Sequence, residues 1–258
     1  MRLASNIFKL KHHRPRMMFD TIFFLSGDSY PLTPHIEPAL FNRLGSLASR
    51  LIGQGELLHL TQADSFNADI EHRLAMLDRV LPAGEGARRT ILIGRSSGAR
   101  VATLFAARRE VAAVICLGYP FREPNRQLDT GRFVHLAQTR TPTLILQGVE
   151  DAYGGIDLTE NYPLSPSVRV RFLNGQHELH LSPKDWDAAA ERIGAFCRSV
   201  AEGQPADQDP FDEGFYLRRH QDVADAVAKG DFISGEDHFL KHGSRERRIF
   251  RLTPGINP

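Results

Sequence analysis

The chain has 258 residues, 41% of them hydrophobic and 24% charged, which is apolar enough for one large domain or one domain with a small appendage and excludes a disordered chain. Its 32 basic and 31 acidic residues give a formal net charge of +1, so neither nucleic acid nor a membrane is attracted by bulk charge and any partner must be recognised locally. No apolar run approaches the ~20 residues of a membrane helix.

Residues 1–16 contain Arg2, Lys9, Lys11, Arg14 and Arg16, no acid, and no continuous apolar segment of the secretory kind. Residues 1–18 therefore read as a basic tail or a short leading strand. After them, apolar runs rich in Val, Ile, Leu and Phe alternate with stretches of helical period. Residues 21–25 read as a strand, 39–52 as a helix ended near Gly53, and 56–61 as a second strand. A helix over 69–81 stops at Pro82 and Gly84. Then come a strand at 90–94, a helix at 97–108, a strand at 111–117, and a loop with a short helix over 119–138. A strand at 143–147, a turn or short helix near 156–160, a strand at 168–172 and a long helix at 183–200 complete the series. Such β-α alternation predicts an α/β architecture with a mostly parallel sheet, helices on both faces and only a minimal lid.

Between 201 and 209 the composition turns to Ala, Glu, Gly, Gln, Pro and Asp, which is linker chemistry. The expected division is a tail at 1–18, a domain at 19–200, a linker at 201–209 and a small helical module at 210–258. The module has an apolar set including Phe211, Phe215, Tyr216, Val223, Val227, Phe232 and Phe239, punctuated by Gly230 and Gly243. So short a segment barely supports its own core, and it is expected to dock on the larger domain or on a partner protein.

Gly94-Arg95-Ser96-Ser97-Gly98 follows the strand ending in Ile93 and opens a helix, the context a G-x-S-x-G turn requires. Its glycines let strand and helix approach while Ser96 stands above the sheet edge. A serine hydroxyl is a weak nucleophile unless an imidazole takes its proton and a carboxylate orients that imidazole. Both should follow Ser96, acid first, each just past a strand. Asp151 and His177 fill those places, with Glu150 and His180 as the nearest rivals. The oxyanion donors are expected to be the backbone N–H of Ser97 and one from Gly27 or Asp28, in the loop after the first strand. An Asp28 carboxylate facing a developing oxyanion would repel it, so that side chain is expected to turn away.

Five blocks carry a resemblance: residues 94–102, Gly118-Tyr119-Pro120-Phe121, residues 141–148 with Asp151, Tyr162-Pro163-Leu164-Ser165-Pro166, and Gly175-Gln176-His177. In that order they resemble a small α/β-hydrolase branch, the dienelactone-hydrolase-like group that also includes a subunit of a chromatin acetyltransferase complex. The resemblance covers about residues 21–200 and implies the α/β-hydrolase fold with Ser96, Asp151 and His177 as its triad. Ser26-Gly27-Asp28 departs from the His-Gly-x-Gly loop usual in that group. The C-terminal stretch resembles a helical module appended to bacterial glycosyltransferases and surface-polysaccharide proteins.

The sequence thus points to a cytoplasmic, bacterial serine hydrolase acting on a small or exposed ester without a cofactor. The alternative is a noncatalytic binding or scaffold protein on the same fold, linked to surface-glycan metabolism. Tyr30, Arg95, Tyr119, Phe121, Tyr153 and Leu179 flank the strand ends and are candidate pocket walls. Arg95 either attracts an anionic group or faces solvent. His177-Glu178-Leu179-His180 has two residues between its histidines rather than the three of a zinc helix, and no metal is expected. Cys116 and Cys197, each in an apolar run, read as buried free thiols of a reducing compartment.

Overall fold

The computed structural model describes residues 17–156, 158–203, 211–243 and 245–250; the basic stretch 1–16 and most of the expected linker lie outside these. Six strands form one sheet: β1 (Phe19–Leu25), β2 (Ala48–Ile52), β3 (Thr90–Arg95), β4 (Ala113–Leu117), β5 (Thr143–Gly148) and β6 (Val168–Leu173). Their order is β2-β1-β3-β4-β5-β6 and every pairing is parallel. Parallel strands need helical crossovers on the faces, so the central strands are buried on both sides and read as unbroken apolar runs. Every residue of β3, β4 and β5 is buried accordingly.

Nine α-helices lie among the described residues: α1 (Ile36–Leu44), α2 (Gln54–Leu60), α3 (Ile70–Val80), α4 (Ser97–Arg108), α5 (Leu158–Asn161), α6 (Pro183–Ala201), α7 (Glu213–Arg219), α8 (Gln221–Ala228) and α9 (Gly235–His238). Alternation along β1 divides the core. Ile22 and Phe24 face α1 and α6 with Leu40, Trp186, Ile193 and Phe196, whereas Phe23 and Leu25 face the opposite layer with Leu74, Leu77, Val101 and Phe105 from α3 and α4. Cys116 and Cys197 are free and lie in opposite layers. Burial raises both thiols, that of Cys197 to about 12.

The expected helix over 39–52 and strand over 56–61 are corrected. The helix ends at Leu44, the strand is Ala48–Ile52, and residues 54–60 are helical. β2 is a five-residue edge strand with only Ala48 and Ile52 buried, so it lacks the apolar signature of the inner strands. The helix read over 69–81 is α3, where the Asp69 carboxylate accepts the His72 N–H at 2.8 Å as an N-cap. Ser182 caps α6 in the same manner, followed by Pro183 in its first turn.

The C-terminal helices add to the α3/α4 layer. Phe211, Tyr216, Leu217, Val223 and Val227 belong to one buried cluster with Leu92, Val114, Ile145 and Phe172, and α7 contacts β6. Glu213 ties α7 to the start of α9 by accepting the N–H groups of Gly235 (2.6 Å) and Glu236 (2.8 Å). No helix among the described residues is long and apolar enough to cross a membrane.

Candidate active site

The sheet order reverses direction at β1, with β2 on one side and β3 on the other, and the loops after β1 and β3 meet at the carboxyl edge of that switch. Ser96 sits there at φ 52°, ψ −120°, a left-handed conformation that a non-glycine residue holds only when its surroundings impose it. Its N–H donates to Leu117 O at 3.0 Å. The flanking glycines are steric necessities: a Cβ on Gly94 would lie 2.3 Å from Gly98 O, and one on Gly98 would lie 2.1 Å from Leu25 O.

Ser96, His177 and Asp151 come together from the ends of β3, β6 and β5. The Ser96 hydroxyl donates to His177 Nε2 at 2.8 Å, and His177 Nδ1 donates to Asp151 Oδ2 at 2.9 Å and Oδ1 at 3.1 Å. A carboxylate can only accept, which fixes the proton on Nδ1 and leaves the Nε2 lone pair facing Ser96. Asp151 is buried, and its carboxylate also accepts the Gln147 side-chain amide and the Tyr153 N–H, each at 2.8 Å. Gln147 is itself wholly buried and tied to the backbone of Tyr119, whose N–H it accepts at 2.8 Å and whose carbonyl it bonds at 3.2 Å. The Tyr153 ring stacks on His177 with centroids 4.1 Å apart. Of the rivals, Glu150 is exposed, and His180 stacks on His35 at 4.9 Å.

The other side of Ser96 is the loop after β1. The N–H groups of Gly27, Asp28 and Ser97 have no acceptor among the described residues, so the expected oxyanion donors are free to bind one. Ser26 N–H donates to the buried Gln54 side chain at 3.1 Å, and Gln54 N–H donates to Glu37 at 3.0 Å. Burial raises the Glu37 carboxyl above the usual carboxylate range. The Asp28 carboxylate is partly exposed and anchored: its Oδ1 accepts the Ser97 hydroxyl at 2.5 Å and lies 3.7 Å from Arg73 Nη1.

Sequence reasoning missed Arg73, Gln54 and Gln147. Only position relative to a strand end marks Gln147, and nothing in the α3 sequence separates Arg73 from a solvated helix residue. In the fold Arg73 is 3% exposed and donates to Ser26 O at 2.5 Å and Ser97 Oγ at 3.1 Å, with its guanidinium 5.1 Å from the Phe66 ring centroid. Desolvation lowers it to about 10, against the opposing pull of Asp28.

Several candidate pocket walls are corrected. Tyr119, Phe121 and Leu179 are fully buried in the core layers, because the chain turns inward after β4 and β6 to seal the sheet ends. The Tyr119 hydroxyl donates to Arg132 O at 2.5 Å. Arg95 does not face solvent: it is 6% exposed and donates to His177 O at 3.3 Å, while its Nη1 lies 2.9 Å from where a Cβ on Gly27 would be. Tyr30 is half-buried against Phe66, at 5.3 Å between ring centroids, and Tyr153 is half-buried on the His177 ring.

A six-stranded parallel sheet covered on both faces, carrying a strained serine on the strand-to-helix turn after β3, is the architecture of an α/β hydrolase. The alpha/beta hydrolase domain family model matches residues 61–202, more than half of the chain, and the chain belongs to that family. No curated protein matches its sequence. Among solved structures it is similar to a protein described as a YdeN-like hydrolase from Pectobacterium atrosepticum, at 17% identity over 70% of this chain and 92% of that one, with a TM-score of 0.52. It is also similar to an alpha-beta serine hydrolase homologue from Coxiella burnetii, at 19% identity, 69% and 86% coverage and a TM-score of 0.50. At these identities the likeness is one of fold.

Proposed function

We propose that the chain is a serine hydrolase of carboxylic esters, with Ser96 as nucleophile, His177 as base and Asp151 as the group that orients the imidazole. The observation that carries the reading is the unbroken line from the Ser96 hydroxyl through His177 to a buried Asp151, at 2.8 Å and 2.9 Å. His177 Nε2 takes the Ser96 proton as Oγ attacks the ester carbonyl. The tetrahedral oxyanion is held by the N–H groups of Ser97 and of Gly27 or Asp28. Collapse expels the alkoxide, which takes the proton from Nε2, and leaves an acyl-Ser96. Water then attacks that acyl group, giving its proton to Nε2 and regenerating the serine.

The connections after β4 and β5 contain no helix longer than four residues among the described residues, which favours a small or exposed ester over a long buried chain. The two buried free thiols fit a reducing compartment such as the cytoplasm. Incubation with a fluorophosphonate followed by intact-mass measurement tests the proposal. The folded wild-type chain should gain one phosphonyl group and Ser96→Ala none; an unlabelled wild type would sink the reading. On aryl esters, turnover should fall as the acyl chain lengthens.

A further inference from the structure

The loop after β1 poses a chemical problem: Asp28 supplies a candidate donor to the oxyanion from its amide while carrying a carboxylate that opposes the same charge. Three observations bear on how that conflict is met. The carboxylate is 62% exposed yet fixed, because Ser97, whose own N–H is the other candidate donor, gives it a hydroxyl hydrogen bond at 2.5 Å. Arg73 donates to that same hydroxyl oxygen at 3.1 Å, forming a chain from guanidinium to hydroxyl to carboxylate. With its other arm Arg73 holds Ser26 O at 2.5 Å, immediately before the donor residues. A guanidinium buried to this degree has been taken out of water at substantial cost, and a planar fork that bonds two fixed acceptors is what a single-point ammonium cannot supply.

We propose that Arg73 is a positioning residue for the oxyanion hole: it fixes the loop bearing Gly27 and Asp28 against Ser97 and neutralises Asp28, so that the carboxylate does not repel the charge that develops on the substrate. The proposal rests on the reading of Ser96 as a nucleophile. It assigns Arg73 no contact with substrate. Its effect is exerted through the two ends of the hole, so it belongs to the step in which charge builds on the carbonyl oxygen and not to the binding of the neutral ester.

Two consequences separate this role from a purely structural one. Removing the guanidinium should slow formation of the acyl or phosphonyl enzyme with little change in KM. The loss should also be smaller when the Asp28 charge is removed too, because an unneutralised carboxylate beside the oxyanion is the worst arrangement of the four. The experiment is the second-order rate of fluorophosphonate labelling, with kcat and KM on a short-chain aryl ester, for wild type, Arg73→Met, Asp28→Asn and the double variant, each with a circular-dichroism check of folding. Arg73→Met should lower labelling and kcat by about 100-fold, the worth of one displaced donor, and the added Asp28→Asn should restore about tenfold. Arg73→Lys keeps the charge without the fork; it should lose about tenfold and serves if Arg73→Met does not fold. Arg73→Met or Arg73→Lys labelled at the wild-type rate, or a double variant no faster than Arg73→Met, overturns the proposal while leaving Ser96 as nucleophile. A folded wild type that is not labelled overturns both.

Discussion

The two sides of Ser96 are held by different means. On the imidazole side, side chains at the ends of adjacent strands bond one another directly, and Asp151 has two further donors besides His177. On the other side the proposed oxyanion donors are backbone N–H groups in a loop, held by side chains arriving from elsewhere in the chain: Gln54 from α2 and Arg73 from α3. The first side is doubly supported at its carboxylate; the second has one prop per point. A parallel sheet aligns strand ends by its hydrogen-bond register but exerts no such control over a loop, which must be fixed from outside.

The contrast can be broken from its strong side first. Asp151→Asn keeps the shape but reverses the hydrogen-bond logic of the imidazole, and kcat should fall by about 10⁴-fold with folding intact. An effect below about tenfold in esterase assays would mean that another carboxylate orients His177. Next in size is Gln54→Ala, which strips the Ser26 N–H of its buried acceptor and frees the oxyanion loop; kcat should drop by about 30-fold, roughly 2 kcal/mol. Gln147→Ala is its counterpart across the site. Because the Tyr153 N–H still holds Asp151, its loss should stay near fivefold, about 1 kcal/mol. If Gln147→Ala proves the costlier of the two on steady-state kinetics, the asymmetry between the sides is wrong.

The smallest effect concerns stability rather than rate. His135 Nε2 donates to Thr103 Oγ1 at 2.9 Å, while its Nδ1 is buried without a partner among the described residues. Burial, with Arg100 nearby, lowers this imidazole to about 4. In the unfolded chain it binds a proton near the ordinary value of about 6.5, so between those values the unfolded state carries more protons. Stability should therefore decline as pH falls from about 6.5 to 4, measured by urea midpoints, and His135→Gln should flatten the slope.

The same asymmetry decides what could be read from sequence. Ser96, Asp151 and His177, which the fold brings within hydrogen-bond distance, were readable as candidates because the proposed chemistry asks for fixed residue types at strand ends, and strands buried on both faces advertise themselves as apolar runs. Arg73 was not, because an arginine at position 73 of an amphipathic helix looks the same whether its guanidinium enters solvent or the core. The edge strand β2 was misread as helix since Ser49 and Arg50 are exposed and interrupt its apolar residues. Tyr119 and Phe121 were read as pocket walls from their place after β4, yet aromatic residues at a strand end serve equally to close the core. Only packing tells these apart.

The sharing of one core between the C-terminal helices and the sheet bears on how such a chain can be inherited. β6 is an edge strand, and Val168 and Val170 on it are packed against the cluster to which Tyr216 and Leu217 belong. Arg218 adds a bond from α7 to Ile156 O at 2.5 Å. A gene rearrangement that moved residues 19–200 to a new host protein would carry off Ser96 with the apolar side chains of β6 uncovered, an invitation to aggregation. The C-terminal helices are thus part of the core that any such transfer would have to carry along.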